Sequence, residues 1–218
     1  MELSVMLSIL LKGMWISVNI FTLTLLFSLP LGLIVAFGRM SGNFVLRNIV
    51  KIYISIMRGT PLVLQLMVVY FGPYFIFGME LSSNYRYTAV IIGFVINYAA
   101  YFAEIYRGGI ESIPVGQYEA AKILGYSKTQ TFMKIILPQV IKRILPAVTN
   151  EIITLIKDTS LAYVISIPEM FSEAKAIASS QKSVMPYVAA GVFYYIFNYI
   201  VATTMEWIEK KFSYYKIS

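Results

Sequence analysis

The stretch Glu119-Ala120-Ala121-Lys122-Ile123-Leu124-Gly125, with Ile136-Leu137-Pro138 after it, forms a polar island between long apolar runs and decides how this chain is organised. Pro114 precedes the island, and proline suits the first turn of a helix because no N–H donor is needed there. The pattern predicts a short helix over residues 115–124. Gly125 should end this helix, since glycine adopts the left-handed conformation of a helix C-terminus at low cost.

A second helix is predicted directly after this break. Ser127 and Gln130 have the S-x-x-Q spacing of a capping box, in which each side chain accepts from the backbone N–H of the other residue. Pro138 predicts a further boundary or kink, because a proline inside a helix removes one backbone hydrogen bond. The island, about residues 112–138, is therefore a helix–break–helix element suited to docking a soluble partner on the charged side of a membrane protein.

Three further motifs accompany the island, and together they carry a family resemblance. The pattern E-A-A-x3-G-x10-[IL]-L-P is similar to the cytoplasmic coupling loop of permease subunits in bacterial ABC importers. The other motifs are R-G-T-P-L at residues 58–62, A-E-I-Y-R-G-G-I at residues 103–110 and I-K-D-T-S-L at residues 156–161. With the four motifs in this order, residues 10–212 resemble the polar-amino-acid permeases of the histidine, glutamine and arginine group.

This resemblance implies the transmembrane subunit of an ATP-driven importer for a polar amino acid. Glu119, Ala120, Ala121 and Gly125 would then couple the subunit to an ABC ATPase, which binds ATP-Mg, because this chain has no G-x4-G-K-[ST] phosphate loop. One coupling loop per chain predicts two permease copies and two ATPase copies. A homodimer is favoured over a pair with a related second permease. The family also implies an extracytoplasmic solute-binding protein as a partner.

The composition indicates a membrane protein without help from the resemblance. Hydrophobic residues make up 58% of the chain and charged residues 13%, whereas a soluble domain has about 25% charged residues. The mean hydropathy is +0.71. Because a bilayer span needs about 20 largely apolar residues, we predict an all-α membrane protein with a single domain over residues 1–218 and five transmembrane helices. The predicted spans are about residues 13–38, 59–79, 87–107, 141–167 and 186–207.

The predicted span over residues 141–167 is unusual, because it contains Glu151, Lys157 and Asp158. The alternative is that residues 144–168 lie along the membrane surface as an interfacial segment. We favour a span, because this segment is rich in isoleucine, leucine and valine and because the distribution of charge requires an odd number of crossings.

Lysine and arginine are concentrated on one side of these spans. Cytoplasmic loops carry such an excess, so the N-terminus is predicted to lie outside and the C-terminus inside, in the cytoplasmic (inner) membrane of a bacterium. The net charge of +7 is then explained by contact with anionic membrane lipid, and no nucleic-acid partner is expected. The basic residues of the richer side are Arg39, Arg47, Lys51, Arg58, Arg107, Lys122, Lys128, Lys134, Lys142, Arg143, Lys210, Lys211 and Lys216, and those of the other side are Lys12, Arg86, Lys175 and Lys182.

Cysteine and histidine are absent from the sequence. A disulfide, a thiolate metal site and catalysis by a thiol or an imidazole are therefore excluded. We expect no metal, no cofactor and no catalytic residue in this chain. Two competing functions are an intramembrane hydrolase, for which Lys157 and Ser160 would imitate a Ser–Lys dyad, and an ion-coupled secondary transporter. Such carriers usually contain two pseudo-repeated halves, and this sequence shows no such repeat.

Polar residues inside the spans are the candidate substrate-binding groups, because an ionisable residue at the bilayer centre costs about 2.5–3.5 kcal/mol on insertion scales. Asn97, Tyr101 and Glu104 are spaced at i, i+4 and i+7 and share one helix face. Two interpretations remain open for this face. It is either a polar stripe along the substrate path or the site of a local ion pair between Glu104 and Arg107.

The run Lys157-Asp158-Thr159-Ser160 interrupts the fourth predicted span. A broken helix at this depth offers free backbone groups to a ligand, so Lys157 would meet the carboxylate of an amino acid, Asp158 would meet its ammonium group, and Ser160 would lie beside them. The alternative is a structural Lys157–Asp158 pair. Glu151 adds a further acid, which favours a cationic substrate such as arginine, histidine or lysine over glutamine or glutamate, unless Glu151 pairs with Lys142 or with another subunit.

Three segments outside this site have local predictions of their own. Residues 1–12 should form a short outer segment on the membrane, ahead of a first span that Pro30 and Gly32 bend. Ser166-Ile167-Pro168-Glu169 is typical of a capped helix start, so a short polar helix is predicted over residues 168–182.

Overall fold

The computed structural model describes residues 2–80 and 82–212, and within these ranges the chain is helical with no β-strand. The all-α prediction is confirmed for this part of the chain, while Lys216 lies outside the described residues. The α-helices are α1 (Leu3–Arg39), α2 (Phe44–Gly59), α3 (Leu62–Phe77), α4 (Ser83–Glu111), α5 (Val115–Ile123), α6 (Lys128–Thr131), α7 (Leu137–Asp158), α8 (Met170–Gln181) and α9 (Met185–Phe212). A π-helical turn, Phe132–Ile136, precedes α7, and a 3-10 helix, Thr159–Ile165, follows it.

Three of the described helices are long and apolar enough to cross a bilayer, namely α1, α9 and the Tyr85–Glu111 part of α4. The pair α2 and α3 qualifies as a fourth, broken span, with an angle of 112° between the two helices. The segment predicted to cross over residues 141–167 is not among these candidates. The count of five spans and the orientation of the termini therefore remain predictions.

The local structure of the polar island agrees with the sequence analysis. α5 ends at Ile123, one residue earlier than predicted, and Gly125 follows in the left-handed conformation with φ of +78°. Both hydrogen bonds of the capping box are present: the Gln130 N–H donates to Ser127 Oγ (3.2 Å) and the Ser127 N–H donates to Gln130 Oε1 (2.9 Å). Pro138 lies in the first turn of α7, where the predicted boundary falls.

α4 is the central helix of the fold. Its side chains Phe94, Tyr98 and Phe102 are buried in the main core, which α1 and α7 complete with residues such as Ile20 and Leu155. Close approach of α1 to α4 depends on glycine at position 32. A Cβ atom there would lie 2.8 Å from Cβ of Phe102, so only glycine fits without a shift of one helix.

The prediction of a separate outer segment over residues 1–12 is wrong. α1 starts at Leu3 and continues without interruption past Pro30 to Arg39. The first turns are held in the helix because Met6 and Leu10 are buried against α8 and α9.

The predicted start of α8 is also corrected by the structure. Ser166 does not cap this helix but ends the preceding 3-10 helix, with φ of +60° and its N–H bonded to the Tyr163 carbonyl. Glu169 is the N-cap, because its carboxylate accepts from the backbone N–H groups of Phe171 (2.8 Å) and Ser172 (2.7 Å). α8 accordingly begins at Met170 and ends at Gln181.

Glu169 also connects α8 to two long helices. Its side chain is fully buried. Its Oε2 accepts from the Tyr194 hydroxyl of α9 (3.0 Å), and the Ser17 hydroxyl of α1 lies at 3.4 Å from the same oxygen. One carboxylate therefore joins α1, α8 and α9. From the sequence, Glu169 was predicted only as part of a helix start.

We predict that Glu169→Ala lowers the stability of the folded chain by about 1–3 kcal/mol, because it leaves buried donors on α8 and α9 without an acceptor. Thermal unfolding of the purified protein in detergent measures the effect. Glu173→Gln is the matched control, since Glu173 is a partly exposed acid in the first turn of the same helix. Equal stability of Glu169→Ala and the parent chain would show that the three-helix connection is not important.

Candidate functional site

A cavity of about 360 Å³ lies where the break between α2 and α3 faces α4 and the end of α7. Four of the seven predicted substrate-binding residues line it, namely Asn97, Tyr101, Glu151 and Asp158. The structure therefore gathers residues that are up to 61 positions apart, 97 to 158, around one space. The remaining lining residues are Thr60, Pro61, Leu62, Tyr98, Thr154 and Leu161.

A hydrogen-bond network closes the end of the cavity at the α2–α3 break. Gln65 of α3 donates to the carbonyls of Met57 (3.0 Å) and Thr60 (3.1 Å) and to the Thr60 hydroxyl (2.8 Å). Asn97 of α4 donates to Gln65 Oε1 (2.8 Å) and to the Met57 carbonyl (3.1 Å). These bonds satisfy backbone carbonyls that the end of α2 leaves free. Both amide hydrogens of Asn97 are used, which leaves its carbonyl oxygen available to a ligand.

Asp158 is held by a tyrosine and not by the neighbouring lysine. The Tyr98 hydroxyl donates to Asp158 Oδ2 (2.7 Å), and Tyr98 is only 2% exposed. Among the residues that the structure describes, no ion pair joins Lys157 to Asp158, so the structure does not show the alternative of a structural Lys157–Asp158 pair. Glu151 does not pair with Lys142 either. Tyr98 was not among the residues predicted for the site, although it directly follows Asn97 in the sequence.

Lys157 and Ser160 lie outside the lining of the cavity. Lys157 is exposed, and the Ser160 hydroxyl donates to the Lys157 carbonyl (2.7 Å) at the start of the 3-10 helix. The hydroxyl thus completes a local turn and is not bonded to the lysine amine, as a Ser–Lys dyad would require.

Glu104 is the centre of an arginine cluster below the cavity. Arg107 binds it through two parallel contacts, from Nε to Oε1 (3.1 Å) and from Nη2 to Oε2 (2.7 Å), so the structure contains the local ion pair that was the alternative to a substrate-binding role. Arg58 of α2 lies at 3.8 Å and Arg39 of α1 at 4.0 Å from the same carboxylate. Glu104 therefore connects the ends of three helices and does not line the cavity.

Arg58 also reaches the edge of the site. Its guanidinium carbon lies 5.4 Å from the centre of the Tyr101 ring, a distance at which a cation and an aromatic face attract each other. The sequence placed Arg58 only among the basic residues on the lysine- and arginine-rich side of the membrane. Its position beside Tyr101 brings a positive charge next to a cavity whose lining contains two acids and no base.

The island presents a second candidate surface. Glu119 and Ala120 are exposed, whereas Ala121 is 1% exposed and packs inward. Several apolar side chains of the island are exposed as well, and such patches mark contact sites for other proteins. These side chains are Val115, Tyr118, Ile123, Leu124, Tyr126 and Met133. No group of three or more potential metal ligands is found in the described part of the chain.

Comparison with known proteins identifies relatives along nearly the whole chain. Residues 28–214 match the family described as "Binding-protein-dependent transport system inner membrane component". The probable amino-acid ABC transporter permease protein YckA of Bacillus subtilis (strain 168) is 40% identical over 206 residues, which are 94% of this chain and 89% of the relative. The arginine transport system permease protein ArtQ of the same organism is 34% identical over 203 residues, 93% of this chain and 91% of the relative.

A solved structure has the same fold. The chain is 29% identical to a chain in a crystal structure of an amino acid ABC transporter with histidines, with a TM-score of 0.86. The match covers 97% of this chain and 99% of the other.

We predict that Gln65→Leu destabilises the chain by about 1–3 kcal/mol, because it removes the acceptor of one buried Asn97 N–H and the side-chain donor to the Thr60 carbonyl. Thermal unfolding in detergent measures the loss. The matched control is Thr22→Val on α1, where an exposed hydroxyl bonds only to its own helix. If Gln65→Leu and Thr22→Val both unfolded at the same temperature as the parent chain, the hydrogen-bond network of Gln65 would not be needed to stabilise the α2–α3 break.

Proposed function

Because the chain belongs to the family of binding-protein-dependent transport system inner membrane components and is a permease of the amino-acid ABC transporter type, we propose that it forms the membrane path of an ATP-driven importer for a polar amino acid, with a preference for a cationic one. The observation that carries this proposal is the pair of acids, Glu151 and Asp158, in a cavity without a lining base. Its volume of about 360 Å³ lies within the usual ~300–1,000 Å³ of small-molecule sites.

The two acids differ in what they offer to a ligand. Asp158 already accepts from Tyr98, so its geometry is set before a ligand arrives. No hydrogen bond or ion pair from the described residues engages Glu151. We assign the α-ammonium group to Asp158 and the carbonyl oxygen of Asn97, and a cationic side chain to Glu151. Tyr101 supplies an aromatic face at the same end.

The carboxylate of the substrate needs a positive partner. Lys157 was predicted for this role. It is exposed and lies outside the lining of the cavity, which makes it less suitable. Arg58 lies nearer, over the ring of Tyr101, and we assign the carboxylate to it. Glu104 then acts through Arg58. Its carboxylate lies 3.8 Å from the Arg58 guanidinium, so it positions this group and also competes with the substrate carboxylate for it. Ser160 supports the turn that follows Asp158.

A glutamine- or glutamate-type substrate is the second candidate. It is favoured by the Tyr98–Asp158 hydrogen bond, because one of the two acids is partly satisfied without any ligand. A neutral side chain would then meet only Glu151, which can accept a hydrogen bond from an amide as well as from a cation.

ATP hydrolysis is assigned to a partner subunit. Glu119, Ala120 and Gly125 stand on an exposed island with apolar side chains around them, and Ala121 fixes α5 to the rest of the chain. We assign the docking of the ABC ATPase, with its ATP-Mg, to this surface, at two copies per transporter. A substrate in the cavity promotes the switch only through unequal affinity for the two conformations of the permease.

The proposed arrangement in the bacterial inner membrane has five crossings, with the N-terminus outside and the island inside. The excess of lysine and arginine around the island supports this orientation. A second copy of the chain completes the membrane path as a homodimer, and an extracytoplasmic solute-binding protein delivers the amino acid from the other side.

Asp158→Asn should lower uptake of labelled arginine about tenfold or more, because one charge-assisted hydrogen bond contributes about 1.5–3 kcal/mol. Transport into reconstituted vesicles with and without ATP is the measurement, and dependence on ATP also distinguishes this importer from an ion-coupled carrier. Glu151→Gln should reduce arginine uptake more than glutamine uptake.

Glu206→Gln is the matched control for these charge-neutralising changes, since Glu206 is an exposed acid on α9, away from the cavity. Full arginine transport by Asp158→Asn would remove this residue from the substrate path. An unchanged ranking of arginine, histidine and glutamine in Glu151→Gln would overturn the cationic preference while leaving the importer intact.

Glu119→Ala should impair ATP-driven uptake and stimulation of the partner ATPase while shifting stability by no more than about 0.5 kcal/mol, as is usual for an exposed position. Gly125→Val should have a larger effect, because a β-branched residue is strained at φ of +78°.

Gly116→Val is the matched control for the glycine change. Both glycines have open space around an added Cβ atom, but only Gly125 has a positive φ. Normal uptake and normal ATPase stimulation in Glu119→Ala would contradict the docking role of this residue.

A further inference from the structure

α2 carries an apolar face that the described chain leaves uncovered. Val45, Ile49, Ile52 and Ile56 are 63%, 60%, 60% and 50% exposed. Their spacing of i, i+4, i+7 and i+11 places them on one stripe along the whole helix. Four large aliphatic side chains in a row are too many to leave in water without a binding partner.

The other sides of α2 have different characters. Ile54 is 6% exposed and packs with Val50 and Met57 against α1 and α4, so the helix is fixed to the body of the protein. Arg47 and Lys51 are one turn apart on the side of the helix turned away from the apolar stripe. Neither takes part in an ion pair with another described residue. The helix thus has one protein-facing side, one apolar side and one basic side.

The direction of α2 differs sharply from that of α3. The angle of 112° between the two helices means that α2 runs across the direction of α3. α3 packs against α4, which is long enough to span the bilayer. If α3 follows the direction of a spanning α4, α2 lies closer to the plane of the membrane than to its normal.

We propose that α2 is an interfacial helix, with its stripe of Val45, Ile49, Ile52 and Ile56 in the acyl chains and with Arg47 and Lys51 at anionic phospholipid headgroups. An amphipathic helix with an apolar face and a lysine- and arginine-bearing polar face is suited to this boundary. An anionic leaflet attracts each basic residue near its surface about fivefold. This proposal concerns lipid and does not depend on which amino acid is transported.

A second copy of the chain is the main competing occupant of the stripe. A two-fold interface brings the same stripe of both copies together, but it leaves Arg47 and Lys51, on the far side of the helix, without a partner. An anionic leaflet offers acyl chains to the stripe and headgroups to these two cations. Charge complementarity therefore favours the bilayer.

The position of α2 matters beyond its own surface. The Met57 and Thr60 carbonyls at its end accept from Gln65 and Asn97, which close the cavity. Anchoring of α2 by lipid would therefore help to hold one wall of the substrate site.

Ile52→Cys tests the proposal, because the chain has no native cysteine and the new thiol is a single labelling site. The full chain is labelled with a polarity-sensitive fluorophore and reconstituted in nanodiscs that contain either brominated phosphatidylglycerol or brominated phosphatidylcholine at the same fraction. Ile123→Cys on α5 is the control position, since it is 86% exposed on the polar island.

We expect both brominated lipids to quench the Ile52 probe, with phosphatidylglycerol the stronger quencher. Arg47→Gln with Lys51→Gln should abolish this difference, and the Ile123 probe should not be quenched. Equal quenching by the two lipids would overturn the role of anionic headgroups, and absence of quenching would overturn the interfacial position. Disulfide-linked dimers of unlabelled Ile52→Cys would assign the stripe to a second copy instead.

Discussion

The hydrogen bonds between Gln65, Asn97, Thr60 and the Met57 carbonyl are the constraint on which the arrangement of the site depends. A turn of 112° between two consecutive helices leaves backbone carbonyls at the end of α2 without helical partners. Gln65 and Asn97 satisfy them from α3 and α4. The chain can therefore leave α2 and start α3 beside the middle of α4, and the cavity opens at this point.

Three acids of this chain lie in three different surroundings. Asp158 is oriented by Tyr98 on the cavity wall, Glu104 holds arginines from three helix ends, and Glu169 joins α1, α8 and α9. Glu104 and Glu169 are engaged by other side chains of the protein and do not line the cavity. Burial of an acid in this protein therefore identifies a ligand site only when the acid also faces an open space.

α7 links the two surfaces to which function is assigned. Its first turn packs with the island, where Val140 and, just before the helix, Ile136 lie in one cluster with Ile113. Its last turns carry Glu151 and Asp158 to the cavity. A helix of 22 residues is about 33 Å long at ~1.5 Å per residue. A displacement of the island by a docked ATPase would thus reach the cavity through one continuous helix, whose direction is fixed by the close packing of Gly109 of α4 against Ile144.

Local sequence determined the elements whose causes are local. The capping box of Ser127 and Gln130, the left-handed Gly125 and the long apolar helices follow from a few neighbouring residues, and the structure agrees with them. The four cavity residues were also identified, because the bilayer penalises polar groups wherever they stand in a span. Tertiary structure alone decided the distant partners of these and other polar groups: Tyr98 for Asp158 and Gln65 for Asn97 in the cavity, and Arg58 for Glu104 outside it. Each of these bonds joins residues at least 32 positions apart, and helical periodicity reports only on neighbours within a few turns.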